Sequence, residues 1–513
     1  MKMNFKKIAS FALATATLLA VGAGCGKKST GTDLDKNAPD YSASTSEFMT
    51  YGYQAIVDDW YAVDGVRTYL DESLLTKENL QVYKESGLNT LFVNWVAGFS
   101  GPENSATWET SKTKQLMDWA YELDMDVFVF NGTLHELSGL KTPLIAENPD
   151  EADNRTSFAS REALDECVKN AMGAVMAHPA CIGVSIKDEP TWEMLPQMGE
   201  VYKSIQRCYP GAYVLMNLLP YSPGNGHLQG IEKWYCEDYL ECTSEEAYKK
   251  YLQQYLDCTG ADYLQYDDYP IRGDNETNAY VLNSTLAGAQ IAAEFCKENN
   301  LKLSKVFQTC SFKTSAWLCR IPDEDDMYWQ LNIGMAMGIK GYSYWTYFPV
   351  CNTAGEYYLE NATFVDKAGK PNPLYYTMQT LHTELQKMAK VLSHFEYQGL
   401  RTYTKAPIPG SSGYLQGVKD NDLKYLTDVQ LEEGGVVLVT ELYDAEKNQY
   451  GYYIVNASDS AMAEEATQTL EISVKDFKKI QIHNMGEVEN VALENGKYSV
   501  TLECGRGIFV LPY

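Results

Sequence analysis

Short apolar, β-branched runs alternate with amphipathic stretches through most of the chain. Eight runs read as strands: Met49 to Ile56, Thr90 to Trp95, Met125 to Asn131, Cys181 to Lys187, Tyr213 to Asn217, Asp262 to Tyr266, Lys305 to Thr309 and Lys340 to Trp345. Between them, Lys112 to Leu123, Arg161 to Met176, Glu245 to Leu256, Ser284 to Cys296 and Asp325 to Met337 repeat apolar residues at helical spacing. Strands that each feed a helix predict a parallel α/β body, and eight of them count out a TIM (β/α)8 barrel over residues 46–395, closed by a helix from Tyr375 to Leu392. An open doubly wound sheet gives the same alternation, but no Gly-rich phosphate turn follows Ile56, which favours the barrel.

Beyond His394 the pattern changes. Val436 to Glu441, Tyr450 to Asn456, Thr469 to Val474, Lys478 to His483, Lys497 to Leu502 and Gly507 to Val510 are β-rich runs separated by Asn-Gly, Gly-Gly and charged turns. They predict a C-terminal all-β sandwich domain over residues 396–513.

The N-terminus departs from both patterns. Lys2, Lys6 and Lys7 precede an apolar stretch from Ile8 to Val21 and the small residues Gly22-Ala23-Gly24-Cys25, which reads as a secretory signal over residues 1–24. The stretch is too short to span a membrane. Its ending resembles the lipobox of bacterial lipoproteins, which implies that Cys25 is the lipidated first residue and a cell-membrane lipid anchor. Residues 25–45 are small and polar, a tether between that anchor and the folded body.

Charge narrows the partners. Removing residues 1–24 takes away three lysines and no acids, so a formal charge of −27 becomes −30. Such a surface disfavours nucleic acid and anionic polymers and leaves neutral carbohydrate as the easier substrate. Apart from Cys25, 11 cysteines are scattered without a repeated spacing. No disulfide framework, zinc motif or cofactor fingerprint is visible, so the reading carries no metal and no cofactor, although Cys236 and Cys242 can pair.

The chemistry gathers at three strand ends. The fourth run breaks into Asp188-Glu189-Pro190, the sixth into Asp267-Asp268-Tyr269-Pro270, and the eighth closes on Tyr344-Trp345. Barrel enzymes carry catalytic groups at the C-terminal ends of strands. Carboxylates beside aromatics suit sugars: rings stack on Trp and Tyr, acids bond hydroxyls, and glycosidic cleavage needs one protonated and one ionised carboxyl group. Trp95, Asn131 and Asn217 end the second, third and fifth strands and are candidate hydroxyl binders.

His178-Pro179-Ala180-Cys181-Ile182-Gly183 leading into Asp188-Glu189-Pro190 is similar to a segment of clan A bacterial glycoside hydrolases, the β-galactosidase-like and cellulase-like barrels. Tyr266 to Pro270, Phe307-Gln308-Thr309 and Gly334 to Gly341 before Tyr344-Trp345 recur at matching places in such proteins. The resemblance covers residues 48 to 395. It implies Glu189 as general acid/base and Trp345 as the floor of the sugar site. Tyr344 and Tyr269, by their strand-end positions, and Gln308 are further candidate sugar binders. The pattern also departs from the family. Retaining members place a nucleophilic Glu at the end of strand seven, where this chain has Gln308-Thr309-Cys310, and an amide cannot form the glycosyl-enzyme bond.

Three explanations stay open. Asp267 or Asp268 supplies the second carboxylate, Glu324 or Asp325 folds back over the mouth, or the barrel has lost catalysis and binds glycans as a surface receptor. An inert envelope scaffold is the reading from another class. Structural readings stand beside these: Asp188 orients Glu189, Asp323 to Asp326 cap a helix, His178 is structural, and His135 lies at the mouth.

Overall fold

The computed structural model describes residues 35, 37–63, 66–93, 108–223, 231–273, 279–313, 318–350, 357–358, 363–408, 412–461 and 466–513. Cys25, Asn94 and Trp95 lie outside them. Pro39–Tyr513 forms one compact unit.

The eight expected strands are present: β1 (Met49–Gly52), β2 (Thr90–Val93), β3 (Asp126–Phe130), β4 (Cys181–Asp188), β5 (Tyr213–Asn217), β6 (Tyr263–Asp267), β7 (Lys302–Gln308) and β8 (Ile339–Trp345). They alternate with α1 (Lys77–Glu85), α2 (Lys112–Glu122), α3 (Gly132–Ser138), α4 (Arg161–Met176), α5 (Leu195–Cys208), α6 (Ser244–Thr259), α7 (Thr285–Asn299), α8 (Glu324–Ala336) and α9 (Pro373–Leu392).

One expectation is met in part. The strands do not pair as a single continuous barrel but as two four-stranded parallel sheets, ordered β1-β8-β7-β6 and β2-β3-β4-β5. Side chains occupy both seams. Between β1 and β2, the Asn89 amide accepts from the Thr50 N–H at 2.9 Å and donates to the Phe48 carbonyl at 2.8 Å. Between β5 and β6, the Tyr263 hydroxyl donates to the Val214 carbonyl, leaving a lone parallel bridge, Leu218 to Tyr266.

Both sheets nevertheless face one interior. Tyr51, Tyr53, Phe92, Phe128, Leu215 and Val306 form a single buried cluster, against which Ile182 and Trp345 pack. Strand six joins it through Gln265, whose Oε1 accepts from the Tyr51 hydroxyl at 2.8 Å.

Local chemistry sets the helix ends. Ser111, Ser160 and Thr243 each accept a backbone N–H with their side chain at the start of α2, α4 and α6. Helix α6 stops at Gly260, whose φ of 67° suits a residue without Cβ.

The C-terminal region is antiparallel. β9 (Glu396–Lys405), β11 (Gly435–Asp444), β12 (Gln449–Asn456), β14 (Lys479–Asn484), β15 (Glu487–Ala492) and β17 (Gly507–Pro512) make a six-stranded sheet in the order β9-β11-β12-β17-β14-β15. β10 (Leu426–Leu431), β13 (Gln468–Val474) and β16 (Lys497–Leu502) make a three-stranded one. Val437, Val439, Tyr452 and Ile454 of the larger sheet pack with Val429, Leu470 and Ile472 of the smaller. The opposite face of the larger sheet is buried too: Val436, Leu438, Leu442 and Phe509 belong to the main core, with Phe509 4.9 Å from Phe395. Burial on both faces explains why Val436 to Val439 of β11 are apolar without alternation.

Candidate active site

β4 ends with a register shift between Ser185 and Lys187, so Asp188 comes level with Asn217 of β5. Glu189 then turns into the left-handed region at φ 43°, a conformation that costs an L side chain about 1–2 kcal/mol. Its backbone is held there: the Glu189 N–H donates to the Asn217 carbonyl at 2.8 Å, and the Tyr251 hydroxyl donates to the Pro190 carbonyl at 2.6 Å. Asp188 and Glu189 are both exposed at this strand end. The buried Asn217 amide donates from Nδ2 to Asp188 Oδ1 at 2.9 Å.

Alternation along β6 separates the two aspartates. Asp267 is in register with Val306, whose side chain lies in the interior cluster, so Asp267 faces the interior and the next residue faces away. Asp267 is 4% exposed. Its Oδ2 accepts from the Tyr269 hydroxyl at 2.9 Å, while Oδ1 has no hydrogen-bond partner among the described residues. Burial, reinforced by the Asp188 charge, pushes its carboxyl up to about 7, and the bond from Tyr269 pulls part of the way back. Asp268 instead lies 3.6 Å from Lys305 Nζ, with 7% and 4% of the two side chains exposed. Burial lowers the Lys305 ammonium from its usual range, and Asp268 opposes that shift.

Trp345 closes β8 half-buried, its ring 5.8 Å from that of Tyr53. Tyr344, one residue earlier, points the other way. It is fully buried, with its hydroxyl 2.8 Å from His382 Nε2, and burial holds that imidazole neutral by pushing it down to about 4.

Gln308, at the end of β7, is fully buried and fully engaged. Its Oε1 accepts from the Ile271 N–H at 3.1 Å, and its Nε2 donates to the carbonyls of Ile271, Cys310 and Arg320. Asn131 caps α3 through the Leu134 N–H at 3.0 Å and donates to the Ala171 carbonyl at 3.1 Å. The structure thus brings Asp188, Glu189, Asn217, Asp267 and Tyr269 together, with Trp345 packed against the interior aromatics beside Tyr53. Tyr344, Gln308, Asn131 and Asp268 are turned into packing.

The remaining candidates also find partners. Asp323 and Asp326 form a reciprocal cap at the start of α8, with Asp326 also paired to the buried Arg320. Glu324 accepts from Arg506 at 3.2 Å, near the C-terminal strand β17. His178 lies 3.1 Å from Asp118, and His135 lies 3.4 Å from Lys187 Nζ. Burial pushes His135 down to about 4, with Lys187 adding to the shift. Tyr251 and Lys305 escaped the sequence reading. A lysine in the otherwise apolar Lys305 to Thr309 run was the available signal for a buried counter-charge.

No family model and no curated protein matches the chain. Among solved structures it is similar to a family 5 glycoside hydrolase from Bacteroides vulgatus, at 10% identity and TM-score 0.45, covering 91% of this chain and 88% of that one. A family 39 glycoside hydrolase from Bacteroides cellulosilyticus matches at 12% identity and TM-score 0.41, over 85% of this chain and 78% of that one. An endo-β-1,4-mannanase from Thermotoga petrophila matches at 9% identity and TM-score 0.39, over 91% of this chain and 99% of that one. Likeness at this level carries no argument about activity, which rests on the site itself.

Proposed function

We propose that the chain is an exported glycoside hydrolase, anchored through a lipidated Cys25, that cleaves neutral oligo- or polysaccharides. In this reading the two parallel sheets are halves of one (β/α)8 barrel over residues 46–395, followed by the sandwich at 396–513. The observation that carries it is the carboxyl cluster at the ends of β4 and β6, where one acid is exposed and another is pushed up to about 7. Environments that differ in this way assign acid and base.

The roles expected from the resemblance then exchange. Asp267 keeps its proton up to about pH 7 and donates it to the leaving glycosidic oxygen as the C–O bond breaks. Glu189, exposed beside it, takes a proton from the water that attacks the anomeric carbon. With no nucleophile on β7 there is no glycosyl-enzyme intermediate, so the product is the inverted anomer. Asp188 and Asn217 hold the two carboxyls in place, and Trp345 offers a ring face to the sugar. Both E189Q and D267N are expected to lower kcat/KM on an oligosaccharide substrate by about 10²–10⁴ with the fold intact by circular dichroism. Unchanged turnover in either variant refutes the assignment.

Gln308 favours a second reading, a non-catalytic glycan receptor, because the strand end that carries the nucleophile in retaining relatives is here committed to backbone. Saturable binding of oligosaccharides without hydrolysis across a broad panel would establish it.

A further inference from the structure

Between β5 and α6, two single turns of 3-10 helix, Ile231–Trp234 and Tyr239–Glu241, fold the chain over the start of α6. The second turn brings Cys236, Asp238 and Cys242 together. One ligand atom from each, two sulfurs and a carboxylate oxygen, lies within 4.8 Å of the others. Cys236 is buried, Cys242 half-buried and Asp238 exposed. A cation already sits against this group: the Lys250 ammonium, one helical stretch away on α6, donates to Asp238 and to Cys242 Sγ, the latter at 3.1 Å.

We propose that Cys236, Asp238 and Cys242 form a binding site for a divalent metal of the zinc class. Two sulfurs and one carboxylate oxygen are ligands such a metal takes, and a tetrahedral ion bound by three protein ligands keeps one position for solvent. Zn–S distances of about 2.3 Å require only small side-chain movements from the observed separations. On binding, both thiols lose their protons to solvent as the two metal–sulfur bonds form, Asp238 adds its carboxylate, and the exposed Lys250 side chain leaves. The spacing Cys-x-Asp-x-x-x-Cys is not a standard zinc spacing, and the turn at Tyr239–Glu241 is what closes it.

The metal would brace the segment beside the carboxyl cluster. The Trp192 N–H, three residues beyond Glu189, donates to the Trp234 carbonyl at 2.8 Å, and Trp234 lies two residues before Cys236.

The test needs no substrate and is independent of the hydrolase reading. Metal-free full-length protein, kept reduced, is titrated with Co²⁺. The expected result is thiolate-to-cobalt charge-transfer absorption saturating near one equivalent and abolished by Zn²⁺. C242S and C236S lose the band, D238N weakens binding by about tenfold or more, and K250Q tightens it. C167S, a distant thiol, leaves the titration unchanged. Because Cys236 is buried, C242S and D238N carry the test if C236S does not fold. A wild-type chain without the band, a band that survives C242S, or a Cys236–Cys242 disulfide that forms in air in the presence of cobalt overturns the proposal.

Discussion

The ends of β4 and β7 occupy corresponding positions in the two sheets, and they solve opposite problems. At β4 the backbone is forced into a left-handed turn at Glu189, and the acids there stay exposed. At β7 the Gln308 side chain is fully buried and spends its amide on the carbonyls of three segments of chain. One end stores strain to present a carboxylate, and the other gives up side-chain chemistry to hold the chain together. Backbone outliers maintained by surrounding bonds are a sign of function, whereas a saturated buried amide is a sign of structure. On the proposed hydrolase reading the second acid lies elsewhere, and Asp267 of β6 is the buried candidate for it.

Breaking the active end has the largest expected effect. D267N removes the proposed proton donor and should lower kcat/KM by about 10²–10⁴ on a substrate with a poor leaving group. The same variant alters stability in a defined direction. Burial pushes the Asp267 carboxyl up to about 7 from its ordinary 3.8, so the folded state holds the proton more tightly. Its stabilising contribution is therefore complete below about pH 4 and lost as pH rises through 7. Melting of the wild type over pH 4 to 8 should fall more steeply than that of D267N, and equal slopes would remove the raised acidity from the account.

Charge pairing behind the site comes next. K305M leaves Asp268 buried without its partner and should destabilise the fold by about 3–5 kcal/mol in denaturant titration. If K305M instead abolishes turnover at full stability, Asp268 belongs to the chemistry and the division between the two aspartates fails.

Restoring a carboxylate at the quiet end is the sharper comparison. Q308E places acceptor oxygens against three carbonyls and should cost about 1–3 kcal/mol or more without any gain in activity. A gain in rate would mean that β7 can still carry a nucleophile.

The smallest effect is expected from Tyr269. Its hydroxyl lowers the Asp267 pKa, so Y269F should move the basic limb of the pH–rate profile upward, and D188N, which removes the neighbouring charge, should move it downward. Shifts in the opposite directions would show that another group sets the limb.

Much of this was legible because its causes are local. Ser160 and the apolar spacing after it place α4, and the abrupt end of Ile182 to Lys187 in two acids marks the site. The short helix α3 and helix α5, which starts at Leu195-Pro196 without a side-chain cap, offer no such signal. Strand β15, Glu487–Ala492, is almost wholly exposed and shows no apolar face to detect. The roles of Asp267 and Asp268 depend on register with β7, and the bonds that commit Gln308 come from Ile271 and Arg320. Neither can be read from neighbouring residues. The two seams between the parallel sheets likewise depend on side chains, Asn89 and Tyr263.

The assignment of donor and base meets its most direct test in leaving-group dependence. Turnover of a dinitrophenyl glycoside, which needs no protonation of its leaving oxygen, is compared with that of the matching oligosaccharide in D267N and E189Q. The account predicts that the activated substrate restores most of the rate to D267N and little to E189Q. Restoration in E189Q and not in D267N would contradict it and return the proton donor to Glu189.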